Sequence, residues 1–338
     1  LEFHQAAAHH CTEHTSNALR RKSKMSVLKN KLLGAIAVVI ACGCYAAAGS
    51  APVAKLFPGE TDWAASPGWD SGTNLAPAFS PDGQTVFFTH WHDGTGTIMV
   101  SHLDHGHWSK PETAPFSGQW RDIEPAMAPD GSYLVFSSNR PAVEGGKVID
   151  GFFQGQVQPG KGGNLWRVDH AGNWSKPVRL PDEVNNNTAI YSPSVARSGN
   201  LYFNRSDPTT KKERLCWSQF INGHYTTPEP VSFDVETTRN FTAAVAPDES
   251  FIIFSGHRPP SPDHQAVVFV AFAENHKWKT PVPFQPYLLG EQTRFSPDMK
   301  TLYFTTDRPY QNPDPSAKDP YRIWQISLEG WRVLGQPD

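Results

Sequence analysis

Three features of the 338-residue chain predict an all-β fold. A short turn recurs along it, as Ser80-Pro81-Asp82-Gly83, Ala128-Pro129-Asp130-Gly131, Ala196-Arg197-Ser198-Gly199, Ala246-Pro247-Asp248-Glu249 and Ser296-Pro297-Asp298-Met299. Each turn is followed by a β-branched or aromatic run: Val86-Phe87-Phe88, Leu134-Val135-Phe136, Leu201-Tyr202-Phe203, Ile252-Ile253-Phe254 and Leu302-Tyr303-Phe304. Thirty Pro and 26 Gly, with few long apolar runs, suit many short strands joined by turns. Counted at the second turn residue, the phrases stand at 81, 129, 197, 247 and 297, so the step is close to fifty. A strand-and-turn unit repeating at that period is the pattern of a β-propeller.

The second unit shows the strands of one blade in order. Asp122-Ile123-Glu124-Pro125-Ala126-Met127 is the first, and Tyr133-Leu134-Val135-Phe136-Ser137 follows the turn as the second. Asn164-Leu165-Trp166-Arg167-Val168 alternates and makes the third. Trp174-Ser175-Lys176-Pro177-Val178 begins the fourth and outermost, where an edge tolerates proline. That last phrase returns as Trp108-Ser109-Lys110-Pro111, Tyr225-Thr226-Thr227-Pro228, Trp278-Lys279-Thr280-Pro281 and, degraded, Trp331-Arg332-Val333-Leu334. One large aromatic per unit is expected to fill the wedge between neighbouring sheets. The longer step between the second and third units comes from an insertion over Glu144–Lys161, read as a long loop without clear structure. Five complete units predict five four-stranded blades. Pro52-Val53-Ala54-Lys55-Leu56-Phe57-Pro58 echoes Lys176–Pro181 and would supply a strand that closes the ring, with six blades as the alternative.

The chain therefore divides into residues 1–24, a non-native or upstream extension before Met25; residues 25–50, a signal peptide; and residues 51–338, one propeller. Lys29 and Lys31, the apolar run from Leu32 to Cys42 and the small residues after it give the charged, apolar and small-residue regions of an export signal. Two processing routes stay open. Val39-Ile40-Ala41-Cys42 reads as a lipobox that would lipidate Cys42 and supply the only membrane link, whereas cleavage near Ala46-Ala47-Ala48 would release a soluble periplasmic or secreted protein. Beyond Cys44 only Cys216 remains, read as a small buried hydrophobe. A net charge of −3 offers no basic footprint for nucleic acid.

The Ser-Pro-Asp-Gly turn followed by an apolar strand resembles the WD40-like Pro-Asp repeats of TolB-type propellers. The resemblance covers residues 75–338, nearly all of the expected exported part. It implies the fold and leaves function open, because such propellers serve as binding platforms and as enzyme domains. The third unit departs from the pattern, with Arg197-Ser198 in place of Pro-Asp. Four residues after the repeated Phe, units two, four and five carry Arg140, Arg258 and Arg308. The third unit lacks both this Arg and the turn Asp, which predicts that the two pair within each blade, for about 0–1 kcal/mol apiece.

In a propeller the innermost strands line a central channel, so residues at their starts are the candidate site. Asn74, Asp122, Ile190, Asn240 and Gly290 are equivalent there, with Glu124, Tyr191, Ser192, Arg239, Glu291, Gln292 and Arg294 close by. Asp122, Glu124, Asn240, Asn74 and Glu291 would suit calcium, a hard cation that takes six to eight oxygens. His257 is the candidate base, at the position of Trp91. His90 and His92 alternate on one strand and could share a transition metal, although the neighbouring His102, His105 and His107 read as surface residues. No nucleophile elbow, zinc motif or phosphate loop is present. Two functions follow: an exported platform for a protein, glycan or small-molecule ligand at the channel mouth, or a calcium-dependent hydrolase of lactones or esters. The second rests on analogy with other lactone-hydrolysing propellers.

Overall fold

A computed structural model of the chain describes residues 59–63, 73–153, 155–206, 210–235, 238–259, 266–275, 277–284, 287–306 and 322–329. The stretch read as a signal peptide, Pro52–Pro58, Arg308 and Trp331–Leu334 lie outside them. The described chain is a five-bladed β-propeller, with no helix among the described residues. Each blade is an antiparallel sheet, ordered from the axis outward. The three inner strands are Thr73–Phe79, Thr85–His92 and Thr95–Asp104 in blade one, and Asp122–Met127, Tyr133–Ser138 and Asn164–Ala171 in blade two. They are Ile190–Val195, Leu201–Ser206 and Glu213–Ser218 in blade three, Arg239–Val245, Phe251–His257 and Val267–Glu274 in blade four, and Glu291–Phe295, Thr301–Thr306 and Arg322–Ser327 in blade five. The outermost strand of blades one to four is reduced to pieces of two residues, such as Val178–Arg179 and Glu229–Pro230.

The ring is closed by chain from before the first unit. Thr61–Asp62 pairs with Arg322–Ser327 as the outer strand of blade five, Arg322 reaches Asp62 at 2.9 Å, and the Trp63 N–H donates to the Ile323 carbonyl at 3.0 Å. Closure thus uses residues just after the stretch singled out in the sequence. The repeated tryptophans of blades one, two and four fill the wedges as expected, each reaching the preceding blade. Trp174 packs on Phe87 and Phe116, Trp278 on Tyr202 and Phe233, and Trp108 on Trp63 of the closing strand.

The innermost strands share one device. Each has a register shift at which a non-glycine residue takes a positive φ: Ala76 (49°), Glu124 (56°), Ser192 (54°), Thr242 (51°) and Gln292 (54°). Such a backbone costs about 1–3 kcal/mol per residue and is least comfortable for the β-branched Thr242. The bulge turns four of these N–H groups toward the preceding blade. Glu124 donates to Thr89 Oγ1 (2.7 Å), Ser192 to Glu124 Oε2 (2.7 Å), Thr242 to Asn204 Oδ1 (2.7 Å) and Gln292 to Thr242 Oγ1 (2.9 Å). Each bond stitches one blade to the next around the axis, and each buried bond returns about 1 kcal/mol.

Two sequence expectations are corrected. Asp130 and Asp248 do not pair with Arg140 and Arg258; each turn aspartate closes its own turn. Asp130 accepts from the Ser132 N–H (3.0 Å) and hydroxyl (2.6 Å), and Asp248 does the same with Ser250 (3.0 and 2.6 Å). Asp82 and Asp298 accept from the Ser80 and Ser296 hydroxyls at 2.5 and 2.6 Å, and in blade three Ser198 takes over by accepting from the Asn200 N–H (3.2 Å). These serine hydroxyls, with the neighbouring backbone N–H, hold the four carboxyls below the usual range. Arg140 and Arg258 stand at the far end of the second strand, beyond reach of the turn. There Arg140 grips Asp122, with both carboxylate oxygens at 2.9 Å, and Arg258 reaches Asn240 at 3.4 Å. The insertion is not without structure either: Gly151–Phe153 and Gln156–Gln158 form a hairpin. Asn139 donates to the Gly160 carbonyl (2.8 Å) and Tyr191 to that of Lys161 (2.9 Å), which seats the insertion beside the channel mouth.

Candidate functional site

The starts of the inner strands form the mouth, and the structure treats the candidate residues there differently. Asp122 is fully buried and accepts from Arg140 and from the Ser117 hydroxyl (2.9 Å). Burial pushes its carboxyl up to about 6, against the pull of Arg140. Asn74 Oδ1 accepts from His90 Nδ1 at 2.9 Å, and His90 stacks on His92 with ring centres 5.6 Å apart, so the two histidines do share a face. Asn240 donates to Asp234 and to Thr238 Oγ1 (3.1 Å). Glu291 begins the inner strand of blade five and acts by its charge on Arg239, which is held by Glu213 at 2.7 Å. His257 lies opposite Arg239 in register, as Trp91 lies opposite Thr73, and packs on Phe241 at 5.4 Å.

Glu124 reaches across the axis. Its Oε2 accepts from blade three through the Ser192 N–H, and its Oε1 from blade five through Gln292 Nε2 at 3.1 Å. Asp122, two residues earlier, is committed to Arg140 within its own blade. The donor set is therefore dispersed: Asp122, Asn74 and Asn240 hold blade contacts, and Glu124 ties the blades together. Among the described residues no three His, Cys, Asp or Glu side chains come together where they could hold a metal ion.

The residue that sequence reasoning missed is Arg121. It precedes Asp122, where an arginine would ordinarily be a solvated residue of a loop. Instead its guanidinium sits between the rings of Trp91 from blade one (5.1 Å) and Tyr191 from blade three (5.9 Å). The residue is 6 % exposed, and its Nε and Nη1 are buried without a hydrogen-bond partner. Its own backbone is locked, since the N–H donates to Asn139 Oδ1 at 2.9 Å. Burial lowers its pKa, partly offset by Tyr191 and Glu124. No local pattern reveals this site, because its walls come from three blades. Below Glu124, on the turn side, lies a second buried cation, Arg294, pushed down to about 10 by burial and likewise offset by Glu124.

No family model matches the chain. Similar solved structures include TolB from Acinetobacter baumannii, at 15 % identity and a TM-score of 0.48, the match covering 76 % of this chain and 54 % of that one. Hydrazine synthase from Kuenenia stuttgartiensis matches at 13 % identity and a TM-score of 0.49, over 76 % of this chain and 40 % of that one. The chain spans about half of the former and less of the latter. A putative TolB from Agrobacterium tumefaciens matches at 15 % identity and a TM-score of 0.38, over 76 % and 90 %. At such identities the likeness concerns fold alone. In its turn repeat and in its fold, the chain is similar to the propellers of TolB proteins.

Proposed function

We propose that the chain is an exported binding platform that receives a protein, glycan or small-molecule ligand at its channel mouth. The observation that supports this most is Arg121, a buried cation between two aromatic rings whose Nε and Nη1 have no hydrogen-bond partner. A buried donor without an acceptor costs about 1–3 kcal/mol, and more when it is charged. A guanidinium is also a planar fork suited to a carboxylate. The ligand class that relieves this cost carries an acidic group: an acidic side chain, a uronic acid or a small carboxylate. Trp91 and Tyr191 add flat apolar surface on which a sugar ring or side chain can stack. The calcium-dependent alternative needs free oxygens at the inner strand starts, and the Arg140 grip on Asp122 weighs against it.

Calorimetry with acetate, glucuronate and a short aspartate-containing peptide tests the proposal, comparing the wild type with Arg121→Met. Hydrolysis of lactone and ester panels, with and without calcium, runs beside it. The expected result is binding of at least one probe, lost in Arg121→Met and unaccompanied by turnover. Calcium-dependent turnover that disappears in Asp122→Ala would establish the hydrolase instead. Failure of every probe to bind would remove the mouth as a ligand site. The mass of the protein recovered from its native host tests export, with removal of residues up to Ala48 or lipid on Cys42 as the expected outcomes.

A further inference from the structure

On the opposite end of the channel, the inner strand ends and their turns border a half-open recess of about 170 Å3. Four turn prolines, Pro81, Pro129, Pro247 and Pro297, stand around it, and at the fifth position the third unit supplies Arg197 instead. Small and apolar side chains such as Ala126, Val245 and Phe295 form the walls. Arg294 lines it from within. That residue is 6 % exposed; its Nη1 donates to the Thr293 carbonyl at 2.8 Å and its Nη2 to that of Pro193 at 3.4 Å. Its Nε is buried with no partner. Both charged residues lining the recess are therefore cations. The aspartates on this face, Asp82, Asp130, Asp248 and Asp298, close their own turns, and Asp248 also acts by its charge on Arg197. Glu124, the carboxylate whose charge reaches Arg294, also serves Arg121 and accepts from Ser192 and Gln292.

A buried cation without a full counter-charge, facing a recess with apolar side chains in its walls, selects an anion with an apolar body. The volume is sufficient for a ring the size of benzene, which fits a cavity of about 150 Å3. We propose that this recess binds a small organic monocarboxylate with an apolar body of about six carbons, its carboxylate held by Arg294 and drawn in by Arg197. Arg-Ser in the third unit is then the functional departure from the repeat, since a proline there would leave the rim without its cation. This site is separate from the mouth and does not rest on the function proposed there.

The test is calorimetric titration of the full chain with benzoate and hexanoate, with benzyl alcohol as the uncharged match and acetate as the carboxylate without a body. Benzoate should bind with a Kd of about 1 mM or tighter. Benzyl alcohol and acetate should each bind at least about tenfold more weakly. Met299→Glu places a carboxylate on the rim, and its backbone is safe because Glu249 holds the equivalent place at the same φ of 60°. It should weaken benzoate about tenfold and Arg294→Lys should do so by removing the fork, both measured in an Arg121→Met background so that carboxylate binding at the mouth does not enter. Equal binding of benzoate and benzyl alcohol, no change in Met299→Glu, or no benzoate binding would each overturn the proposal.

Discussion

Asp122→Ala removes the partner of a guanidinium that has almost no access to water. In the wild type Arg140 holds both Asp122 oxygens at 2.9 Å, with side chains 8 % and 0 % exposed. What remains to it in the variant is the Phe116 carbonyl at 3.1 Å and the faces of Phe136 and Trp166, 5.1 and 5.3 Å away. Its Nε and Nη1 are already without partners. Breaking a buried pair from one side costs about 3–5 kcal/mol, because the surviving charge has neither water nor counter-charge. At roughly 2–4 °C per kcal/mol for a domain of this size, the melting temperature should fall by roughly 6–20 °C. Removing the cation as well, in Asp122→Ala/Arg140→Met, should recover at least about 2 kcal/mol of that loss. Urea unfolding of the wild type, both single variants and the double variant measures the cycle. A cost below about 1 kcal/mol for Asp122→Ala, or strict additivity in the double variant, would refute the pairing as the reason for the burial.

Three other outcomes are expected. Burial raises the Asp122 carboxyl to about 6, so between about pH 4 and 6 the folded state keeps a proton that the unfolded chain has released. Wild-type stability relative to Asp122→Asn should therefore fall as pH rises through that window, by about 3 kcal/mol in total; a rise would show the ion pair outweighing desolvation. Cys216 is 3 % exposed and burial pushes its thiol up to about 12, so a disulfide reagent should label it only after unfolding, and labelling of the folded protein would contradict this core position. Trp63→Ala empties the junction where its ring meets Phe79, Trp108 and Tyr303, and denaturation should show a loss of about 3–5 kcal/mol; under 1 would mean the closing strand contributes little.

What was legible in the sequence was local or repeated. The Pro-Asp turns and the strands after them depend on residues two to five apart, so one unit read correctly gave all five. The Asp130–Arg140 pairing failed because two changes that coincide in the third unit were taken for a contact. They lie at opposite ends of one strand, and the true partner of Arg140 is the strand start at Asp122. The site was legible only as a region. Glu124 and Gln292 stood among the residues at the strand starts, but their hydrogen bond joins positions 168 apart, which no spacing within a unit can express. Arg121 escaped altogether, since its burial is made by Trp91 and Tyr191 from blades on either side. The closing strand has two residues, too few to carry an alternating pattern.

That closing strand sets an order on how the ring comes into being. Asp62 and its partner Arg322 are 260 residues apart, so the segment synthesised first pairs with one synthesised near the end. At about 5–20 residues per second the first must wait roughly 13–50 s for the other to emerge. Blades one to four can form their local hairpins meanwhile, but blade five is left with an open edge until Thr61–Asp62 returns to it. An open edge is where chains pair with the wrong neighbour. The last two-residue strand is thus a check on completeness, latching only when the blades between it and its partner have been made.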